Sequence, residues 1–237
     1  MRTLVTGLLL ILSGAVQAAD FKLAGDQLII GGFYDDTELA RVRDFIKSDG
    51  ERIRTVVLRD LDSRGVNNIE NMILIAGLFT ERGWRTAVSG FCYTSCFYLF
   101  MGGVERHFTD DKPGLQTRVA IGGTVWMTDS TRFTRMEKDK PSTRGNYFYR
   151  SWIKQRTGGK FSDELLEKVL PLDDRHPSYP QLYDASRLNR PDGVSVIHCP
   201  KGANPNRRWQ ECAKIAGTDV YREGIVTSKE LLRSNDR

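Results

Sequence analysis

Two adjacent hydroxyls stand between a short strand pattern, Arg85-Thr86-Ala87-Val88, and an apolar run that ends at Met101. They are Thr94 and Ser95, inside Cys92-Tyr93-Thr94-Ser95-Cys96. A hydroxyl at a strand-to-helix turn lies among free backbone N–H groups and at the positive end of the helix dipole, both of which support developing negative charge. A glycine-containing turn on a neighbouring unit, here Gly65-Val66, lets further N–H groups approach a substrate carbonyl as an oxyanion hole. Nucleophilic chemistry also needs a base within reach of the hydroxyl. The chain has three histidines. His107 follows Arg106 in a short strand, His176 lies in a Pro/Asp-rich loop and His198 adjoins Cys199. Each reads as a surface or packing residue. Asp173 and Asp174, beside Arg175, read as solvated acids in a polar loop.

The cysteines offer a second chemistry. Cys92–Cys96 and Cys199–Cys212 have C-x3-C and C-x12-C spacing, neither of which matches a zinc knuckle, so no metal and no cofactor is expected. The first residues set the redox context. Arg2, an apolar stretch to Leu12, and small residues at Val16 and Ala18 make the pattern of a secretory signal peptide over 1–18, with cleavage after Ala18. A periplasmic or secreted location follows as an expectation, and an oxidising compartment favours disulfides. Cys199–Cys212 is the preferred pair, closing a short polar loop between apolar flanks. Cys92 and Cys96 are either a local disulfide or two buried thiols, and a thiol role for Cys96 at a helix start stays open.

The elements that position these residues alternate. Gln27–Ile30 reads as a strand ending at Gly31-Gly32, followed by a helix from about Asp36 to Ile46 with Leu39, Val42, Phe45 and Ile46 on one face. Thr55–Leu58 is a buried strand. Asn67 or Asn68 caps a helix carrying Ile69, Met72, Ile73, Ile75, Ala76 and Phe79. Arg85–Val88, a buried helix over Ser95–Met101, and the strand Arg118–Ile121 follow. Helices are expected at 146–157 and 162–170, then a loop over 171–192 and the strand Val194–His198. Strands alternating with helices argue for an α/β fold with a mostly parallel sheet. With 237 residues, 40% of them hydrophobic, the chain suits one α/β domain over 19–237. The net charge of +5 is dispersed, with no basic stripe, which argues against a nucleic-acid partner. No apolar run after the first residues approaches the ~20 residues of a membrane helix, so the mature chain is not expected to be an integral membrane protein.

Three segments together resemble a known family: Ser63-Arg64-Gly65-Val66 after a strand, Cys92-Tyr93-Thr94-Ser95-Cys96 opening a buried helix that ends at Gly102-Gly103, and Arg118-Val119-Ala120-Ile121-Gly122. Their order is similar to that of the ClpP/crotonase superfamily, and most similar to exported bacterial ClpP-like proteins. These carry an S-x-G-G turn, a C-x-S-x-C turn and a strand ending in His. The likeness covers about residues 27–125 and continues weakly through Tyr221–Val226. It implies repeated β-β-α units, assembly into homo-oligomers and serine-peptidase ancestry. It also marks departures. The nucleophile position falls on Thr94. Ser95 is one residue on, and on a helix that shift turns the side chain by ~100°. The second glycine of the S-x-G-G turn is Val66. The base position is Gly122, which carries no proton. The resemblance therefore implies a ClpP-like pseudoenzyme that acts in binding or assembly toward an unidentified protein or peptide. The Tyr147-Phe148-Tyr149 run with Trp152 serves either as its contact surface or as a core helix face. The alternative is a serine-type hydrolase with a rearranged site that uses Ser95 or Thr94.

Overall fold

The computed structural model describes residues 20–35, 38–65, 69–93, 96–112, 117–120, 143–170, 179–183, 196–199 and 213–235. Strands β1 (Asp20–Ala24) and β2 (Gln27–Asp35) form a hairpin around Gly25, whose φ of 65° suits the turn. Then come α1 (Glu38–Asp49), β3 (Thr55–Gly65), α2 (Ile69–Glu81), β4 (Arg85–Tyr93) and α3 (Cys96–Met101). Strands β5 (Arg106–Phe108) and β6 (Arg118–Ala120), helices α4 (Thr143–Arg156) and α5 (Asp163–Val169), and strands β7 (Tyr179–Tyr183), β8 (Val196–Cys199) and β9 (Ala213–Lys214) complete the order.

One sheet runs β1-β2-β3-β4-β6-β7-β8-β9, with β5 also paired to β4. Its centre is parallel: β2 with β3, β3 with β4, and β4 with both β5 and β6. The flanks are antiparallel. The fold is thus α/β with a mostly parallel sheet, as the alternating pattern implied. Strand β4 has two successive neighbours on one edge. Thr86–Val88 pair with β5, and Phe91–Tyr93 pair with β6.

Helix α2 shows how the sequence builds the layers. Ile69, Met72, Ile75, Ala76 and Phe79 fall at helical spacing and are all buried. Gly83 ends the helix at φ 66°. Its N–H donates to Thr80 O at 3.0 Å and that of Trp84 to Phe79 O at 2.9 Å, the pairing of a glycine-terminated helix. Helix α3, Cys96-Phe97-Tyr98-Leu99-Phe100-Met101, is apolar on every side and wholly buried. It packs so tightly on α2 that a Cβ at Gly102 would lie 2.6 Å from Ala76 Cα.

The opposite sheet face is smaller. Ile29, Val57 and Ala87 form a minor core capped by Ala24 and Leu232. The C-terminal segment straps this face: Leu232 N donates to Phe108 O at 2.9 Å, and Asn235 N to Gln27 Oε1 at 2.9 Å. Arg106 locks the strap to the helices. Its buried guanidinium donates to Gly103 O, Ile225 O, Gly224 O and Arg156 O.

Several boundaries differ from the sequence expectation. Strand β2 does not stop at Gly31-Gly32 but runs to Asp35, because β3 continues to Gly65 and pairs with it through two register shifts. Strand β1 was not anticipated. The 171–192 stretch, expected to be a loop, contains β7, which satisfies its backbone against β6 and β8 despite Pro180. The aromatic run of α4 divides: Tyr149 is buried, whereas Tyr147 and Phe148 are exposed.

Candidate functional site

Strand β4 carries the candidate turn at its C-terminal end. Alternation along the strand sends Cys92 into the main core. It leaves Phe91 and Tyr93 half-buried on the other face, stacked with ring centroids 5.0 Å apart. Cys92 and Cys96 form a disulfide with Cα atoms 5.3 Å apart, both fully buried. This resolves the two alternatives left by the sequence, and it removes Cys96 as a thiol. The bond ties the end of β4 to the first residue of α3.

The neighbouring strands bring the other candidate segments to the same end of the sheet. Leu61 and Asp62 of β3 lie opposite Cys92 and Tyr93, and β3 runs on to Gly65, which faces Asp35. On the other side Val119 and Ala120 of β6 face Cys92 and Tyr93. The positions that follow Ala120 in sequence are Ile121 and Gly122. Thr94, Ser95, Val66, Gly122, His176, Asp173, Asp174 and Cys212 lie outside the described residues. Cys199 is described only as a β8 backbone position, so the Cys199–Cys212 pairing lies outside them too.

Among the described residues of β6, Arg118 reaches the turn with a polar side chain. Its Nε donates to Tyr93 Oη at 2.6 Å, and its guanidinium sits 5.4 Å from the Tyr93 ring centroid. A guanidinium stays protonated in proteins and cannot act as a base. His107 is 2% exposed and anchored, with Nδ1 3.0 Å from Glu230 O and Nε2 3.4 Å from Glu105 Oε2. It pairs in register with Ala87. Ala87 lies six residues before Tyr93, about 20 Å along a strand at ~3.3 Å per residue. A general base has to sit within ~3 Å of its proton, so His107 is a packing residue, as the sequence reading held.

Sequence reasoning missed a polar network next to this end. Asp111 accepts hydrogen bonds from Ser89 Oγ at 2.8 Å and Thr109 Oγ1 at 2.5 Å, and it pairs with Arg59 Nη2 at 3.2 Å. Arg59 Nη2 also donates to Ser234 Oγ at 2.5 Å, which engages the C-terminal strap. Burial alone would raise the Asp111 carboxyl. The two hydroxyl bonds and the Arg59 charge outweigh it and hold the group below its ordinary value. Asp60, at φ 43°, bulges out of β3 beside this network. It accepts from Phe91 N at 3.3 Å and pairs with Lys112 at 3.3 Å. A Cβ at Gly90 would lie 1.9 Å from Asp60 Oδ1, so only glycine fits there. The network braces β4 where its neighbour changes from β5 to β6. Its one sequence signal was the polar run Thr109-Asp110-Asp111-Lys112 after an apolar strand. Among the described residues no group of three or more His, Cys, Asp or Glu could hold a metal ion. No described helix is long and apolar enough to cross a membrane.

No family model and no curated protein matches the sequence. Solved structures similar to this chain include ClpP1 from Listeria monocytogenes, at 12% identity and a TM-score of 0.49, covering 88% of this chain and 92% of that one. An enoyl-CoA hydratase from Shewanella pealeana matches at 6% identity and a TM-score of 0.31, covering 45% of this chain. This chain spans half the length of that hydratase. An enoyl-CoA hydratase from Mycobacterium marinum matches at 7% identity and a TM-score of 0.37, covering 65% of this chain and 68% of that one.

Proposed function

We propose that the chain is an exported ClpP-like protein that works by binding or assembly, without Ser-His-Asp peptidase chemistry. The observation that carries this reading is the surroundings of the Cys92–Cys96 turn. From β6 the turn receives Arg118 and then, in sequence, Ile121 and Gly122. His107 is fixed elsewhere by Glu230 O and Glu105. Triad residues act as a unit, so losing the base together with the serine position removes most of the rate.

Two further features support the reading. A buried Cys92–Cys96 disulfide suits an oxidising compartment, in line with signal cleavage after Ala18. Three of the large exposed apolar side chains, Leu74, Tyr147 and Phe148, lie on α2 and α4 and offer a contact surface for a protein partner or a second copy. The test is labelling of the folded, mature chain with a fluorophosphonate, alongside Thr94→Ala and Ser95→Ala variants. The proposal expects no labelling. Labelling that disappears in one variant would establish the hydrolase alternative. Mass spectrometry of the periplasmic protein should find Ala19 as the first residue, and an intact Met1 would refute export.

A further inference from the structure

Between α2 and α4, on the helical side of the sheet, lies a shallow cavity of about 230 Å3 whose lining includes Gly77, Glu81, Trp152 and Arg156. It is smaller than the ~300 Å3 at which pockets for drug-sized ligands begin, so its occupant is small. Gly77 sits inside α2, where glycine is a poorer helix former than alanine. Neither backbone nor packing demands it. Its φ is not positive, and an added Cβ would meet nothing within 4 Å. Gly102, by contrast, is required by its contact with Ala76. What glycine does at 77 is leave the cavity open on its α2 side.

The lining also holds two opposite charges that do not pair. Arg156 donates Nε to Met101 O at 2.8 Å and Nη2 to Gly102 O and Gly103 O, and its Nη1 makes no hydrogen bond to a described residue. Neither Arg156 nor Glu81 has an ionic partner among the described residues, although both face the same cavity. Trp152 adds an aromatic wall, itself braced by Tyr98 at 5.6 Å between centroids.

We propose that this cavity binds a small zwitterion, a free α-amino acid with an apolar or aromatic side chain. The carboxylate pairs with Arg156 Nη1, the ammonium pairs with Glu81, and the side chain fills the space at Gly77 against Trp152. The site is independent of the Cys92–Cys96 turn and does not rest on the reading given to it.

The test titrates the 15N-labelled full chain with L-phenylalanine and L-leucine and follows the Trp152 indole N–H resonance, assigned with Trp152→Phe. A saturable shift is expected. Gly77→Leu, which fills the cavity, should weaken binding at least about tenfold while the rest of the spectrum is kept. Glu81→Gln, a change at an exposed side chain, should weaken phenylalanine but not 3-phenylpropionate, which lacks the ammonium. The proposal is overturned if no amino acid gives a saturable shift at about 10 mM, a concentration well above a millimolar Kd. It is also overturned if Gly77→Leu folds and binds unchanged, or if 3-phenylpropionate binds the native protein as tightly as phenylalanine.

Discussion

Replacing Arg106 by methionine should cost the fold about 3–5 kcal/mol, since each buried carbonyl left unsatisfied costs about 1–3 kcal/mol. The side chain is 4% exposed and donates to four backbone carbonyls at 2.8–3.1 Å. Hydrogen bonds from a charged donor contribute about 1.5–3 kcal/mol each, roughly 6–12 kcal/mol gross. Holding the charge away from water works against this. Burial, and then the neighbouring Arg156, lower the guanidinium from 12.5 to about 10. That displacement corresponds to a cost of about 3 kcal/mol. Methionine restores apolar packing but leaves the Ile225, Gly224 and Arg156 carbonyls without their donor, while Gly103 O keeps only Arg156 Nη2. Native domains hold only ~5–15 kcal/mol, so the loss is a large part of the whole. Urea unfolding followed by tryptophan fluorescence should show the midpoint falling by about 1–2 M at unchanged m. Arg106→Lys, which keeps a charge and some donors, should fall in between. A midpoint shift below about 0.3 M for Arg106→Met would refute the claim that this guanidinium holds the strap to the helices.

Other consequences can be checked separately. The Asp111 carboxyl is held below its ordinary value of 3.8, so its contribution is complete above that pH and is lost as pH falls through the lower folded value. Asp111→Asn should therefore lower stability at pH 7 and flatten the acid limb of the stability–pH curve below about pH 4, and an unchanged limb would contradict the network. Gly102→Ala should destabilise by about 1–3 kcal/mol through its clash with Ala76, whereas Gly77→Ala should stabilise by roughly 0.5–1 kcal/mol, both read from denaturant midpoints. Reductant added to the native protein should leave the peptide containing Cys92 and Cys96 unalkylated, because both sulfurs are fully buried, and urea should make it reactive. Alkylation of the native protein at the denatured rate would count against that burial.

The parallel centre of the sheet was legible because its signals are local. Periodic apolar residues mark α2, Gly83 marks its end, and a continuous apolar run marks α3. Strand β6 was legible in the same way, since Arg118-Val119-Ala120 is a short apolar strand pattern. The pairings that finish the fold were not legible. Ser89, Thr109, Asp111 and Ser234 carry no common pattern, and only the register of β3, β4 and β5 gathers them around Arg59. The strap over the minor face depends on the backbone bonds of Leu232 with Phe108 and Asp110, which leave no periodic trace. Strand β7 was hidden by Pro180 and by the Asp- and Arg-rich run around it. The disulfide could not be chosen from composition, because a C-x3-C pair bonds only where the fold brings its Cα atoms close enough, as the end of β4 and the start of α3 do here at 5.3 Å.

The central proposal is that the Cys92–Cys96 turn of this α/β fold carries no activated hydroxyl. Fluorophosphonate labelling of the folded mature chain tests it most directly. No covalent adduct is expected on the native protein, with Thr94→Ala and Ser95→Ala indistinguishable from it. A stoichiometric adduct on the native protein that vanishes in either variant would show an activated hydroxyl at the turn and establish the hydrolase alternative.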